Sequence, residues 1–95
     1  MRFTWDPNKA EENLKAHSVD FREAATVFED ALSTTFPDPD HSVGERRFLI
    51  VGMSALSRIL VVSHTETGDT IRIISARTAT RSERRFYEEA ESDFR

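Results

Sequence analysis

Three β-type runs joined by very short links constrain this sequence more than any other feature. They cover residues 46–53, 57–64 and 70–76. All three are rich in Ile, Val, Leu and Phe, as strands are. The links, 54–56 and 65–69, are too short for a helical crossover, so consecutive runs must pair as antiparallel strands. The sequence therefore predicts an antiparallel meander.

Capping signals before the meander predict two helices. Asp6-Pro7 combines a favoured N-cap with a residue suited to the first helical turn, and this helix ends near Ser18. Asp20 and Glu23 have the form of a capping box, and the apolar spacing over 21–28 is that of an amphipathic helix.

A third capping box follows the meander. Thr80 and Glu83 open a closing helix that runs on through Phe94, and short strands are predicted over 3–5 and 33–36. The predicted order is β-α-α-β-β-β-β-α in one domain over 1–95. This is an α+β fold with an antiparallel sheet of about four to five strands, two N-terminal helices and one C-terminal helix. We expect the helices on one sheet face and the other face free for a ligand.

Positive charge is concentrated in one part of the chain. The formal net charge is −4, but residues 43–87 hold eight arginines, no lysine and four acidic side chains. The arginines are Arg46, Arg47, Arg58, Arg72, Arg77, Arg81, Arg84 and Arg85. An acidic total argues against a protein that coats nucleic acid through bulk charge. Guanidinium groups nevertheless suit bidentate phosphate or carboxylate recognition, so a solvated surface and a phosphate-binding face both stay open.

The last strand of the meander holds the strongest candidate residues. Strict alternation directs Ile71, Ile73, Ser75 and Arg77 to one face, and Arg72, Ile74 and Ala76 to the other. Both faces are mostly apolar, so Arg72 should be at least half buried and must meet an anion, either Glu45 or Glu66, or a phosphate. Arg77 ends the strand and Arg81 lies in the first turn of the following helix, whose amides favour phosphate.

Other chemistry is weakly indicated by the residues alone. His64 ends a strand near Arg72, where it is either a general acid or base or a structural histidine. Tyr87 either donates a proton or packs in the core. The chain has no cysteine and no metal-binding, Rossmann or phosphate-loop motif, so no metal or cofactor is predicted. It has no membrane-spanning run or signal pattern, which predicts a cytoplasmic protein.

An ordered set of short motifs between residues 3 and 89 resembles the BrnT family of type II toxins, a branch of the RelE-like ribonuclease toxins. The set comprises Trp5-Asp6-Pro7, Lys9-Ala10, Asn13, His17, Val19, Phe21, Glu23-Ala24, Val27-Phe28, Gly44-Glu45-Arg46, Gly52, Leu60-Val61-Val62, Gly68-Asp69, the run from Ile71 to Arg77, Glu83-Arg84 and Tyr87. The resemblance implies a metal-independent endoribonuclease that inhibits translation by 2′-hydroxyl attack on the adjacent phosphate. The implied catalytic residues are Arg72, Arg77, His64 and Tyr87, with Glu45, Arg46 and Arg81 at the RNA-binding surface.

The resemblance also implies partners. These are a BrnA-type ribbon-helix-helix antitoxin, operator DNA reached only through that antitoxin, and a toxin–antitoxin hetero-oligomer. Two departures from the family pattern, Ala16-His17-Ser18 in place of Lys-His-Gly at the end of the first helix and Thr78 in place of a basic residue, remove turn geometry or positive charge. They keep open an alternative, a catalytically inactive RelE-like module that acts as antitoxin partner and co-repressor.

Overall fold

The structure, a computed structural model, describes residues 1–41 and 44–93; Phe94, which the sequence places in the closing helix, lies outside them. The elements are β1 (Arg2–Thr4), α1 (Pro7–His17), α2 (Phe21–Thr26), β2 (Thr34–Pro37), β3 (Phe48–Met53), β4 (Ile59–Thr67), β5 (Thr70–Thr78) and α3 (Arg81–Asp93). Single 3₁₀ turns occupy Val27–Glu29 and Pro39–His41. The predicted order of helices and strands is confirmed.

The sheet is mixed, which corrects the antiparallel prediction. Its strand order is β1-β5-β4-β3-β2. Strands β2 to β5 pair antiparallel, but β1 pairs with β5 in parallel, with Phe3 opposite Ile71. Short links dictate direction only for strands adjacent in sequence, whereas β1 reaches β5 through the whole intervening fold.

Helices cover both sheet faces, which corrects the prediction of one bare face. Ile50 and Val62 pack with Phe21 and the other apolar residues of α1 and α2 on the side named here the helix face. Val51 and Val61 alternate with them and pack on the opposite side, the α3 face, against Tyr87 of α3. Over residues 81–90, Tyr87 is the buried residue of α3, and the part of this face around Ser63 and Ser75 stays open.

A β-bulge in β5 changes which residues share a face. Ser63 pairs with Ser75, but the next residue, His64, pairs with Ile73, so Ile74 is the extra residue. Ala76 therefore joins Ile71 and Ile73 in the core of the helix face. The strict alternation predicted from sequence is wrong beyond Ile74, and Arg72 and Arg77 lie on the same face of the sheet.

Asn13 secures the bulged part of β5. Its Nδ2 donates to the carbonyls of Val19 (3.0 Å) and Ala76 (2.9 Å), and its Oδ1 accepts from the Ala76 amide (3.0 Å). Since β1 pairs only with residues 70–72, this buried amide satisfies the edge of β5 where no strand continues the sheet.

One predicted capping box forms and the other does not. Thr80 and Glu83 form the reciprocal pair, with Thr80 N to Glu83 Oε1 at 2.8 Å and Glu83 N to Thr80 Oγ1 at 3.3 Å. Asp20 instead accepts from the Arg22 amide, and Glu23 turns inward to bind Arg58 and Ser54. These hydrogen bonds lower the pKa of Glu23, with Arg58 as the largest contribution, against the opposing effect of burial.

Candidate nucleic-acid interface

The uncovered part of the α3 face forms a groove beside β5. Its lining, named here the arginine groove, comprises Asp38, Asp40, Arg47, Leu49, Ser63, Ile74, Ser75 and Arg77. Strands β3, β4 and β5 supply the floor, and Asp38, Asp40 and Arg47 supply a wall. A backbone hydrogen bond from Asp38 N to Arg47 O (2.8 Å) joins the residue after β2 to the residue before β3.

Arg77 is held at the end of the groove by Glu83. Arg77 Nη1 lies 2.7 Å from Glu83 Oε1, and Nη2 lies 2.9 Å from Oε2, which makes a bidentate pair. The pKa of Glu83 falls to about 2, mainly through the bond from Arg77 and against burial, with further bonds from Thr80. The pKa of Arg77 is raised by the same pair. Both groups are therefore ionised throughout the neutral pH range.

Arg72 lies near the start of β5, before the strand residues that line the groove. Its side chain is 49% exposed, at the limit of the half burial predicted from sequence, because the end of the hairpin leaves its face partly uncovered. Its guanidinium pairs with Glu45, the first of the two carboxylates that the sequence offered. Both side chains are about half exposed, so the pair contributes little to stability.

Arg46 and Arg81 are exposed and outside the groove lining. The Arg46 guanidinium lies 5.4 Å from the centre of the Phe48 ring, a cation–π arrangement. Arg81 is the first residue of α3, two residues before Glu83 of the Arg77–Glu83 pair. Phe48 stacks on the ring of His64, so Arg46 lies toward the helix face, and none of the predicted RNA-binding residues lines the groove.

His64 lies on the opposite face of the sheet from Arg72 and Arg77, which fits a structural histidine, the second of the two alternatives that the sequence left open. Its side chain is fully buried on the helix face, between the rings of Phe28 (4.8 Å) and Phe48 (5.8 Å). Its Nε2 lies 3.1 Å from Glu66 Oε2. The sheet separates this imidazole from Arg77, because His64 and the groove residue Ser63 are adjacent on β4 and face opposite ways.

Tyr87 also lies away from the arginine groove. It is buried beneath α3, and its hydroxyl donates to Asp30 Oδ2 at 2.6 Å. Burial opposes ionisation of Asp30, but hydrogen bonds from the Met53 amide, the Tyr87 hydroxyl and the Leu32 amide outweigh it and lower the pKa. Tyr87 and Asp30 line a separate depression, so their geometry is that of an anchor for α3.

Sequence reasoning missed most of the groove lining. Ser63 and Ser75 face each other in register, and only the bulge determines that both point into the groove. Asp38 and Asp40 read as ordinary turn residues in a proline-rich loop. The Thr80–Glu83 spacing was a usable signal for the cap, but nothing in it indicated that Glu83 also pairs with Arg77.

Two further properties bear on the site. Among the described residues, no three His, Asp or Glu side chains lie close enough together to hold a metal ion. No helix within residues 1–41 and 44–93 is long and apolar enough to cross a membrane.

Comparison with known proteins places these features in context. A family model described as the ribonuclease toxin BrnT of type II toxin–antitoxin systems matches residues 5–83. The crystal structure of the Brucella abortus ribonuclease toxin BrnT superimposes with a TM-score of 0.66, at 23% sequence identity, and the match covers 85% of this chain and 99% of that chain. A search of curated proteins found no match.

Proposed function

This chain belongs to the BrnT family of ribonuclease toxins of type II toxin–antitoxin systems, and on that premise we propose that it cleaves RNA in the arginine groove without a metal ion. Family membership supplies the RNA substrate and the antitoxin partner. The proposal adds the place of binding, the chemistry and the cellular effect.

The observation that carries the proposal is the position of Arg77 at the end of an open groove. Its guanidinium is fixed by Glu83, and the hydroxyls of Ser63 and Ser75 line the groove beside it. A permanently charged planar fork next to hydroxyl donors suits a phosphodiester group. On the helix face, by contrast, the ion pair of Arg58 and Glu23 is structural, because Glu23 is buried.

We infer a reaction in which the ribose 2′-hydroxyl attacks the adjacent phosphate and the 5′-oxygen leaves, giving a 2′,3′-cyclic phosphate. Arg77 stabilises the negative charge that develops on the phosphoryl oxygens. Arg72, on the same face, contacts a neighbouring phosphate once its pair with Glu45 opens. Arg81, two residues before Glu83, adds positive charge for RNA outside the reacting group, and Arg46, which lies against Phe48, is a more distant predicted contact.

The proton transfers fall to groups near the groove. The resemblance implied His64 or Tyr87 for this role, but the His64 side chain lies on the far side of the sheet and the Tyr87 hydroxyl, buried between α3 and the sheet, donates to Asp30. The carboxylates of Asp38 and Asp40 line the groove itself and are the groups we propose for acid–base work. Substitution of either by asparagine should lower kcat, while the affinity for RNA is kept or rises because one negative charge leaves the groove.

The proposed biological effect is arrest of translation through loss of RNA in the cytoplasm. A BrnA-type antitoxin with a ribbon-helix-helix domain is the proposed partner; it would neutralise the toxin in a hetero-oligomer and connect it to operator DNA. Induction of this chain in bacteria should stop growth, and co-induction of the antitoxin encoded beside it should restore growth. Growth that continues with a folded, abundant protein would contradict this part of the proposal.

One set of observations favours a second candidate, an inactive binding module that serves as antitoxin partner and co-repressor. Arg72 and Arg77 are both already paired with carboxylates of the chain, and two of the four predicted catalytic side chains are buried away from the groove. This candidate predicts a folded protein that binds its antitoxin and leaves RNA intact.

The deciding experiment is incubation of the purified chain with end-labelled single-stranded RNA in EDTA, with and without ribosomes. We expect cleavage with cyclic phosphate ends and a loss of about 100-fold in rate for Arg77→Ala, as removal of one transition-state donor implies. Arg22→Ala is the matched control, because Arg22 is an exposed arginine on α2 paired only with Asp20. Dependence on a metal ion would refute the proposed chemistry, and intact RNA even with ribosomes would establish the binding module.

A further inference from the structure

The bidentate pair between Arg77 and Glu83 leaves a defined part of the guanidinium unused. A guanidinium has five N–H donors: one on Nε and two on each Nη. Glu83 accepts one from Nη1 and one from Nη2, and the carbonyl of Thr78 accepts the second from Nη1 at 3.4 Å. Among the described residues, none accepts from Nε or from the second Nη2 proton.

The two unused donors lie on the same edge of the guanidinium. Nε–H and the outer Nη2–H point in parallel and form the side-on fork, the geometry with which arginine binds two oxygens of one phosphate. Glu83 occupies the other, end-on fork. Because Arg77 lines the groove and its side chain is 40% exposed, the side-on fork is accessible to a ligand there.

Glu83 is itself fixed independently of Arg77. Its Oε1 accepts from the Thr80 amide at 2.8 Å as part of the capping box that begins α3. The carboxylate therefore joins the first turn of α3 to the last residues of β5. A guanidinium bound end-on to such an anchored group loses most of its rotational freedom before any ligand arrives.

We propose that Glu83 is a positioning residue, which orients Arg77 so that its Nε–Nη2 edge receives a single phosphodiester group of RNA. The proposal rests on the proposed binding of RNA in the arginine groove. It assigns Glu83 no contact with RNA and no proton transfer. The ion pair is therefore not autoinhibitory. It orients Arg77 for RNA and need not break when RNA binds.

The test measures binding separately from cleavage. The probe is a fluorescent 2′-O-methyl oligonucleotide, which carries RNA phosphates but has no free 2′-hydroxyl for attack. Its dissociation constant is measured by anisotropy for the full chain, for Arg77→Ala, for Glu83→Gln and for the double variant. Thr80→Ala is the structural control, since it removes the Thr80 side chain from the capping box while Glu83 still faces Arg77.

We expect Arg77→Ala to weaken binding by about tenfold, the effect of one charge-assisted hydrogen-bonded contact. Glu83→Gln keeps a side chain that can cap the helix. It should weaken binding severalfold in the wild-type background and have no further effect once Arg77 is absent. Thr80→Ala should lower the melting temperature and leave the dissociation constant nearly unchanged.

Three results would overturn the proposal. Tighter binding by Glu83→Gln would show that Glu83 competes with phosphate. An equal loss of affinity on Glu83→Gln with and without Arg77 would show that Glu83 has a merely structural role. Failure of the wild-type chain to bind the probe would show that the groove does not take an RNA phosphate. If the expected pattern appears but unmodified RNA is not cleaved, the positioning role stands and the proposed nuclease activity fails.

Discussion

A single residue in an unfavourable backbone conformation ends α1. Ser18 has φ 56° and ψ 34°, in the left-handed region, and its amide closes the helix by donating to the Leu14 carbonyl. Glycine adopts this conformation without steric cost, whereas other L-residues do not. The departure from the family pattern noted at this position therefore changes the stability of the turn and leaves its geometry intact.

Ser18→Gly should stabilise the protein. We expect a gain of about 0.5–1 kcal/mol in the free energy of unfolding, because the left-handed strain is relieved. Ala16→Gly, two residues earlier in the exposed helical turn, should instead cost about 1 kcal/mol. Urea denaturation of the three proteins checks both values, and a lower midpoint for Ser18→Gly would contradict the assigned strain.

Glu83 should make the stability depend on pH in the acid range. Its pKa is about 2 in the folded protein against 4.5 for the ordinary group, so its contribution is complete above about pH 4.5 and is lost as the pH falls toward 2. The full shift is discounted for the partial exposure of both partners, which leaves about 1–2 kcal/mol. The difference in unfolding free energy between wild type and Glu83→Gln should shrink over this range. Parallel stability curves would refute the assignment.

At the scale of elements, α3 packs on the sheet through Tyr87, Phe86 and its first turn. Tyr87 is its buried anchor, and Phe86, nearly half exposed, lies against Phe36 with ring centres 5.6 Å apart. The Arg77–Glu83 pair fixes its first turn. A highly charged helix held in this way has little hydrophobic burial of its own, so each of these contacts weighs heavily in its stability.

Tyr87→Phe should destabilise α3 and leave catalysis intact. The ring stays packed, but Asp30 loses the hydroxyl that donates to it at 2.6 Å. Loss of a hydrogen bond to a carboxylate costs about 1–3 kcal/mol, which a thermal or urea transition measures. We expect kcat for RNA cleavage to stay within about twofold of wild type, because the Tyr87 hydroxyl lies outside the arginine groove. Loss of cleavage in a folded variant would restore the catalytic interpretation.

The sequence predicts which elements form better than how they meet. Short links and capping residues correctly predicted the meander and the order of elements, since both act over a few residues. The bulge at Ile74 and the parallel pairing of β1 carry no local signal, because they depend on contacts between distant segments. The same holds for the candidate site. Arg77 was identified from sequence, but its place beside Ser63 and Ser75 depends on the bulge, and its ion pair with Glu83 depends on the docking of α3.

At the scale of the whole molecule, charge is uneven along the chain, and the fold mixes its parts. The acidic N-terminal part forms β1, α1, α2 and β2 and contributes Asp38 and Asp40 to the groove, and the arginine-rich part, residues 43–87, forms most of the sheet and the start of α3. The lining of the arginine groove balances two arginines against two aspartates, so the proposed binding of RNA there depends on the placement of guanidinium groups and not on an excess of positive charge. With a net charge of −4 on the whole chain, we expect RNA binding to be weak and confined to these groups.

The salt dependence of RNA binding should report this arrangement. For single-stranded RNA, the slope of log K against log salt is about −0.7 for each phosphate neutralised, so contacts with two or three arginines predict a slope near −1.5 to −2. Arg77→Ala should make that slope shallower by about 0.7, while Arg22→Ala, which removes the same charge from the helix face, should leave it unchanged. Titration of the 2′-O-methyl probe at several salt concentrations measures the slope for the wild type and for both variants. Equal changes for both variants would mean that RNA senses only the total charge, in which case the arginine groove is not the binding site.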